Sequence, residues 1–356
     1  MITKMKLLMT KFIYQLKLAG YFFTPPIFSW LNKKIRPKKK RLSEDDLPFL
    51  SLLHDLESKG IENFISADMV QRFCKEKKAQ YFNYDTSEPH ISDESLQKNL
   101  HELCNNGFTV IQDVLSAEEL EGINKKVVPL AEEGIATLTE LRSECNARTT
   151  SKVAKKEENG VTALHNLYDG ISRYRGIESF SPSFKTIGMA SDIHKICESY
   201  LGGTVSPSSV YLDVKGVLGA SDSSRALHGD SFTKICKVFI ALEDITDDNA
   251  PFLYFSGSHK QHKWRLFKDL LEFSNINAEY HDYFSMYNIL SMFKVSEEDN
   301  GVDIKPIRVS LKAGDAIIAD TSGIHGATDL ISGRRLQLGL VFERRGFGAE
   351  DKYVAP

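Results

Sequence analysis

With 356 residues, 42% of them hydrophobic and 26% charged, the chain has the composition of a globular protein, which excludes a disordered or low-complexity polymer. Its five cysteines, Cys74, Cys104, Cys145, Cys197 and Cys236, are odd in number and show no paired spacing. A disulfide framework and a thiolate zinc site are thereby excluded, and reduced thiols in a cytoplasmic compartment are expected. The net charge of −3 conceals an asymmetry, because residues 1–43 hold 11 of the 45 basic residues and no acid, leaving −14 on the remainder. An acidic body repels polynucleotides, so no nucleic-acid partner is expected.

Residues 1–43 read as a basic amphipathic segment. At helical spacing Met5, Leu8, Met9, Phe12, Ile13 and Leu16 share one face, flanked by Lys4, Lys6, Lys11 and Lys17. That pattern predicts peripheral contact with an anionic membrane through residues 1–41, with docking on the chain's own domain or a partner as the alternative. The uncharged run 18–32 is too short to span a bilayer and is broken by Pro25 and Pro26, so a cytoplasmic, peripherally membrane-associated protein is expected. Residues 44–100 read as a helical and loop extension, 101–346 as the catalytic domain and 347–356 as a tail.

Within the domain, a short strand is expected over 108–112. Ser116 followed by Glu119 forms a capping box, which starts a helix reaching about residue 130. The polar, charge-rich stretch 143–160 lacks periodicity and reads as a surface loop. From residue 205 the texture changes to short apolar or alternating runs at 210–214, 235–242, 252–255, 304–309, 316–319 and 336–342, the strands of an antiparallel sandwich or barrel. Helical stretches at 264–273 and 283–293 read as an insertion between two halves of the sheet. The fold class expected is mainly β with flanking helices.

The chemistry concentrates in His228, Gly229 and Asp230, followed 95 residues after Asp230 by His325, each near a strand end. In an extended segment the side chains at i and i+2 project to the same side, so His228 and Asp230 can reach one ion. Two imidazoles and a carboxylate on one face of a metal leave the opposite positions open, the facial arrangement of non-haem iron(II) oxygenases. The pattern alone is common. Its weight comes from Arg335, ten residues after His325 at the head of a strand, where a guanidinium can grip a dicarboxylate bidentately. The adjacent Arg334 leaves a one-residue ambiguity. Arg225, Lys215, Ser231, Phe232 and Asn249 lie beside these strands as candidate pocket residues, with Arg225, Ser231 and Asn249 assigned to substrate binding. His165 and His194 lack a carboxylate or second histidine at useful spacing, His262 and His281 flank the insertion and read as surface or core histidines, and Asp315 after Gly314 reads as a turn residue.

Four passages, LHGDSF at 227–232, KVFIALEDITDDNAPFLYFSGSHK at 237–260, LKAGDAIIAD at 311–320 and HGATDLISGRRLQLGLVF at 325–342, resemble the phytanoyl-CoA dioxygenase family, over roughly residues 108–342. The resemblance implies a double-stranded β-helix (jelly-roll, cupin-like) core. It also implies iron(II) on His228, Asp230 and His325, 2-oxoglutarate on Arg335 or Arg334, and a structural role for His259. The chain departs from the family pattern at Gly229, at Ser256, and in a His325–Arg335 loop one residue short, which keeps Arg334 open. Retention of Asp230 implies hydroxylation rather than halogenation. The expected reaction consumes dioxygen and 2-oxoglutarate, releases succinate and CO2, and hydroxylates an aliphatic C–H of a small-molecule, lipid or saccharide-linked substrate. Two other readings are a catalytically silent barrel serving as a binding or scaffold module, and a metal-dependent cupin isomerase or hydrolase that has no need of Arg335.

Overall fold

A computed structural model describes residues 89–144, 153–167, 169–179, 182–187, 191–216, 227–230, 234–260 and 307–344. The basic N-terminal segment, most of the 44–100 extension, the two insertion helices and the C-terminal tail lie outside the described residues.

The first described helix, α1 (Glu94–Asn106), starts where Asp93 accepts hydrogen bonds from the backbone N–H groups of Ser95 and Leu96. Its buried stripe is Leu96, Leu100 and Leu103, at helical spacing. It ends at Gly107, whose left-handed φ of 85° and close approach to the Tyr254 side chain leave no room for a Cβ. The helix runs across position 101. Leu96 and Leu100 belong to the same core cluster as the leucines of the large sheet.

After β1 (Phe108–Ile111), helix α2 (Ala117–Ser143) opens with the expected capping box at Ser116 and Glu119 but continues well past residue 130. Pro129 does not stop it. The apolar stripe Ile123, Val127, Ala131, Leu138 stays buried beyond the proline. The Leu130 and Gly134 carbonyls also accept hydrogen bonds from Tyr174 and Ser172 of the adjoining sheet. Tertiary packing outweighs the single lost backbone bond.

The expected loop at 143–160 is corrected by the structure, since it contains β2 (Val153–Glu158) and leads into β3 (Val161–Asn166) and β4 (Ile171–Arg175). Asn159 and Gly160, both at positive φ, make the two-residue turn of the β2–β3 hairpin. The short helix α3 (Pro182–Ile187) and α4 (Ser191–Leu201) precede β5 (Val205–Lys215). There follow β6 (Cys236–Ala241), β7 (Phe252–Tyr254), β8 (Ile307–Val309), β9 (Ala316–Asp320), β10 (His325–Ala327) and β11 (Arg335–Arg344). Except for β10, which was not anticipated, these fall on the expected strands, with β5 and β11 longer than anticipated.

All pairings among the described strands are antiparallel. One sheet runs β1-β9-β6-β11-β5-β4-β3-β2 and the other β10-β7-β8. The protein is thus a mostly β jelly roll with helices on one side. Alternation separates the two faces of the large sheet: Leu212, Val214, Val238, Ile240, Ile318, Leu336, Leu338 and Leu340 pack with α1, α2 and α4. Their neighbours Tyr211, Phe239, Ile317 and Val341 turn the other way and meet Phe252, Val309 and Leu311 of the small sheet and its flank. The space between the sheets is where the polar residues gather.

Candidate metal centre

Three segments bring the triad together. The backbones of His228 and His325 exchange hydrogen bonds in both directions, 3.0 and 2.9 Å, making an isolated antiparallel bridge. The Asp230 N–H donates to the Thr321 carbonyl at 2.7 Å. The loop carrying His228 and Asp230 is thereby stitched to the turn that delivers His325. That turn is itself pinned by buried Asp320, which accepts hydrogen bonds from Tyr200 of α4 (2.6 Å), the Ser322 hydroxyl (2.5 Å) and the Ser322 N–H (2.9 Å).

The ligand-type atoms of His228, Asp230 and His325 all lie within 4.8 Å of one another. His325 Nε2 is 3.3 Å and His228 Nε2 3.8 Å from the Asp230 carboxylate, and the imidazole centroids are 4.4 Å apart. The Nδ1 of His325 lies 3.0 Å from the Gly323 carbonyl; as an N–H donor there, it presents an Nε2 lone pair toward Asp230. Phe252 stacks on His325 at 5.6 Å and meets Phe239 at 5.5 Å, giving the site an aromatic wall. His228 is about half exposed and His325 is buried, so the cluster has an open and a closed side.

Asp230 also holds an ion pair with Lys237 of β6, Nζ to Oδ2 2.7 Å. Burial works to raise the Asp230 carboxyl, but Lys237 first, then His325 and His228, outweigh it and hold the group well below the usual carboxylate range. The site therefore contains an ionised carboxylate beside two imidazoles, a donor set suited to a divalent metal of the iron type.

The two arginines of the doublet have different partners. Arg335 begins β11 on its inner face, buried, opposite Lys215 of β5, and its Nη1 donates to the Ala250 carbonyl. Arg334 pairs with Glu243, its Nε 2.9 Å from Oε2. Further along the inner face Asp213 binds Arg173 of β4 bidentately, 2.7 and 2.9 Å, and the Arg173 guanidinium lies 4.5 Å from the centroid of the Tyr211 ring. Burial disfavours that guanidinium charge, but Asp213 more than compensates. Tyr211 in turn covers Gly339, where a Cβ would collide with its ring.

Of the other expected site residues, Arg225, Ser231 and Phe232 lie outside the described residues. Asn249, expected to touch substrate, is engaged in a turn: its side-chain oxygen accepts from the Thr246 N–H (2.6 Å), and its nitrogen donates to the Asp244 (2.8 Å) and Arg334 (3.1 Å) carbonyls. Both ends of the amide are used in closing that turn. His259 is structural, as expected, with Nε2 3.0 Å from the Cys104 carbonyl. Among the described residues, His165 and His194 hydrogen-bond locally at Ser172 and the Val205 carbonyl, far in sequence from the triad. Asp315 accepts from the Asp113 and Lys312 N–H groups, a turn residue as read. Sequence reasoning missed Lys237, Arg173 and Asp213. The available signal was alternation, since Tyr211, Asp213 and Lys215 share a strand face and Lys237 shares one with Phe239.

A mostly β jelly roll with a candidate His-Asp-His metal site between its sheets is the class that fold and site define. The chain belongs to the phytanoyl-CoA dioxygenase (PhyH) family, whose model matches residues 103–335, and is thus an oxygenase-type enzyme. Similar solved structures include HygX from Streptomyces hygroscopicus with iron bound, at 15% identity over 70% of this chain and 87% of that one, TM-score 0.45. HygX with nickel and 2-oxoglutarate bound gives 17% identity, 70% and 88% coverage and a TM-score of 0.44. The non-heme alpha ketoglutarate dependent epimerase SnoN from nogalamycin biosynthesis gives 13%, 72% and 92%, and 0.40. No curated protein matches the sequence significantly.

Proposed function

We propose that this chain is an iron(II)- and 2-oxoglutarate-dependent dioxygenase that hydroxylates an aliphatic C–H of a small-molecule, lipid or saccharide-linked substrate, with release of succinate and CO2. The observation that carries the reading is the convergence of His228, Asp230 and His325 within 4.8 Å, in a chain whose family is that of phytanoyl-CoA dioxygenase.

In this reading iron(II) and 2-oxoglutarate, when bound, supply the activation of dioxygen and the oxidising power. The chain supplies position. His228 and His325 donate imidazole nitrogens and Asp230 a carboxylate, and the Gly323 carbonyl sets the His325 tautomer. Arg335, oriented by the Ala250 carbonyl on the inner face, takes the far carboxylate of 2-oxoglutarate. Arg334 is the weaker candidate because its guanidinium is committed to Glu243. Phe239 and Phe252 line the stretch beside His325 and keep water from it.

The test is to add iron(II) and then 2-oxoglutarate without oxygen and to follow the visible charge-transfer absorption of a chelated 2-oxo acid. The band is expected in the parent chain, absent in His228→Ala, and shifted to much higher 2-oxoglutarate in Arg335→Ala. Metal binding without a band would overturn the oxygenase reading, and no metal binding would favour a scaffold. We also propose that residues 1–41 place the enzyme peripherally on an anionic, cytoplasm-facing membrane, where its substrate is delivered; this rests on the sequence pattern alone. Failure of the full chain to sediment with anionic vesicles would overturn it.

A further inference from the structure

We infer that Lys237 makes the enzyme selective for an anionic substrate, by receiving a carboxylate or phosphate beside the metal centre. This deepens the dioxygenase reading and rests on it.

Among the described residues, Lys237 is the one lysine or arginine in an ion pair with the triad, at 2.7 Å from Asp230. The other inner-face cations sit elsewhere. Arg173 is matched bidentately by Asp213. Arg335 and Lys215 face each other at the opposite end of the sheet. Lys237 is paired in register with Val341 and Ala319, and Val341 lies six residues along β11 from Arg335, roughly 20 Å of extended chain. A cosubstrate whose far carboxylate rests on Arg335 therefore reaches the triad from the end remote from Lys237.

With a divalent metal and 2-oxoglutarate bound, Asp230 would be shared between the metal and Lys237, leaving one net positive charge at that ion pair. A bound divalent metal would be balanced by the Asp230 carboxylate together with one carboxylate of 2-oxoglutarate, and Arg335 would answer the other. The Lys237 ammonium, about one-fifth exposed, remains as one positive charge in a partly buried place where water screens it poorly. A substrate anion is the group that relieves this cost, and its bond to the ammonium fixes which C–H stands near the metal. A lysine placed only to hold Asp230 would have no preference among substrates.

The test is calorimetric titration of the full chain, loaded with iron(II) and 2-oxoglutarate without oxygen, using butyl phosphate and pentanoate as anionic probes and 1-butanol as the neutral one. The expected result is binding of at least one anion, weakened roughly ten- to a hundredfold in Lys237→Gln. Lys237→Arg should keep the affinity within about threefold, because the charge stays. The two anions tell a phosphate site from a carboxylate site. Melting temperatures of both variants separate lost binding from lost folding. If neither anion binds, or if Lys237→Gln binds them as tightly as the parent, the inference is overturned and Lys237 only positions Asp230. The charge-transfer band recorded in the same samples reports independently on the dioxygenase reading, so that either can fail without the other.

Discussion

The two faces of the eight-stranded sheet are made by the same strands and follow opposite rules. The outer face is continuous hydrocarbon: Leu336, Leu338, Leu340 and Phe342 of β11 are fully buried against the helices. The inner face of the same strand carries Arg335, Gln337, Gly339 and Val341, and its neighbours add Asp213, Lys215 and Lys237. One face holds the strands in place through apolar burial, about 1.5–3 kcal/mol per large side chain. The other spends that rigidity on polar groups kept at fixed separations. Stability and chemistry are thus divided by the two-residue period of the strand, and substitutions one position apart should act on different quantities.

The largest effect should come from the outer face. Leu338→Ala is expected to lower unfolding free energy by about 2–5 kcal/mol in chemical denaturation while leaving metal affinity per folded molecule unchanged. A loss of metal affinity beyond the unfolded fraction would mean that the faces are coupled. Next, His325→Ala should weaken iron(II) binding by more than the roughly 10–100-fold typical of a supporting residue. Its cost in stability should be only about 1 kcal/mol, that of a single hydrogen bond. Equilibrium metal titration and denaturation of the metal-free chain together decide this. Arg335→Gln should spare metal binding and reduce 2-oxoglutarate affinity by roughly 1.5–3 kcal/mol, the worth of charge-assisted bonds. An equal loss in Arg334→Gln would contradict the register seen in β11.

The smallest effect is on acid stability. The Asp230 carboxyl is held well below its ordinary value, chiefly by Lys237 against the opposing effect of burial. Its stabilising contribution is therefore complete above the unfolded carboxylate value, near 4, and is lost as pH falls toward the depressed one. In the metal-free chain, Lys237→Gln should flatten the fall in stability between roughly pH 5 and 3 relative to the parent. An unchanged slope would show that the pair does not set the ionisation of Asp230.

Much of this arrangement was legible in the sequence because apolar alternation marks a half-buried strand. The runs that became β5, β6, β7, β9 and β11 were readable for that reason, and the capping box located the start of α2. Strand β2 was not readable. Its residues Val153, Lys155, Lys156, Glu157 and Glu158 are exposed on both faces, so no pattern separates them from a loop, and only the Asn159-Gly160 turn marks the hairpin. The end of α2 was missed because the packing that carries the helix past Pro129 comes from β4, more than 40 residues later.

For the site, the HxD pattern alone is common, and the triad was legible because an arginine and four family-like passages stand at matching places around it. The arginine was ambiguous because a one-residue slip in register exchanges the faces of a strand. Lys237 went unnoticed because a charge inside a strand ordinarily marks the solvent side, and only the folded sheet reveals that this one points inward.

Among the described residues, β2 forms one margin of the large sheet, and this carries its own consequence. In β2, Lys155 and Lys156 are followed by Glu157 and Glu158, with Lys156 also tied to Glu133 of α2 at 2.8 Å. Any strand from another molecule seeking to extend the sheet there would have to disrupt four consecutive ionised side chains before gaining backbone hydrogen bonds. The opposite margin, β1, offers only four residues. A protein built around an extended β-sheet is in this way guarded against edge-to-edge growth into aggregates, and replacing Lys155 and Glu157 with threonine would remove a guard without touching the core.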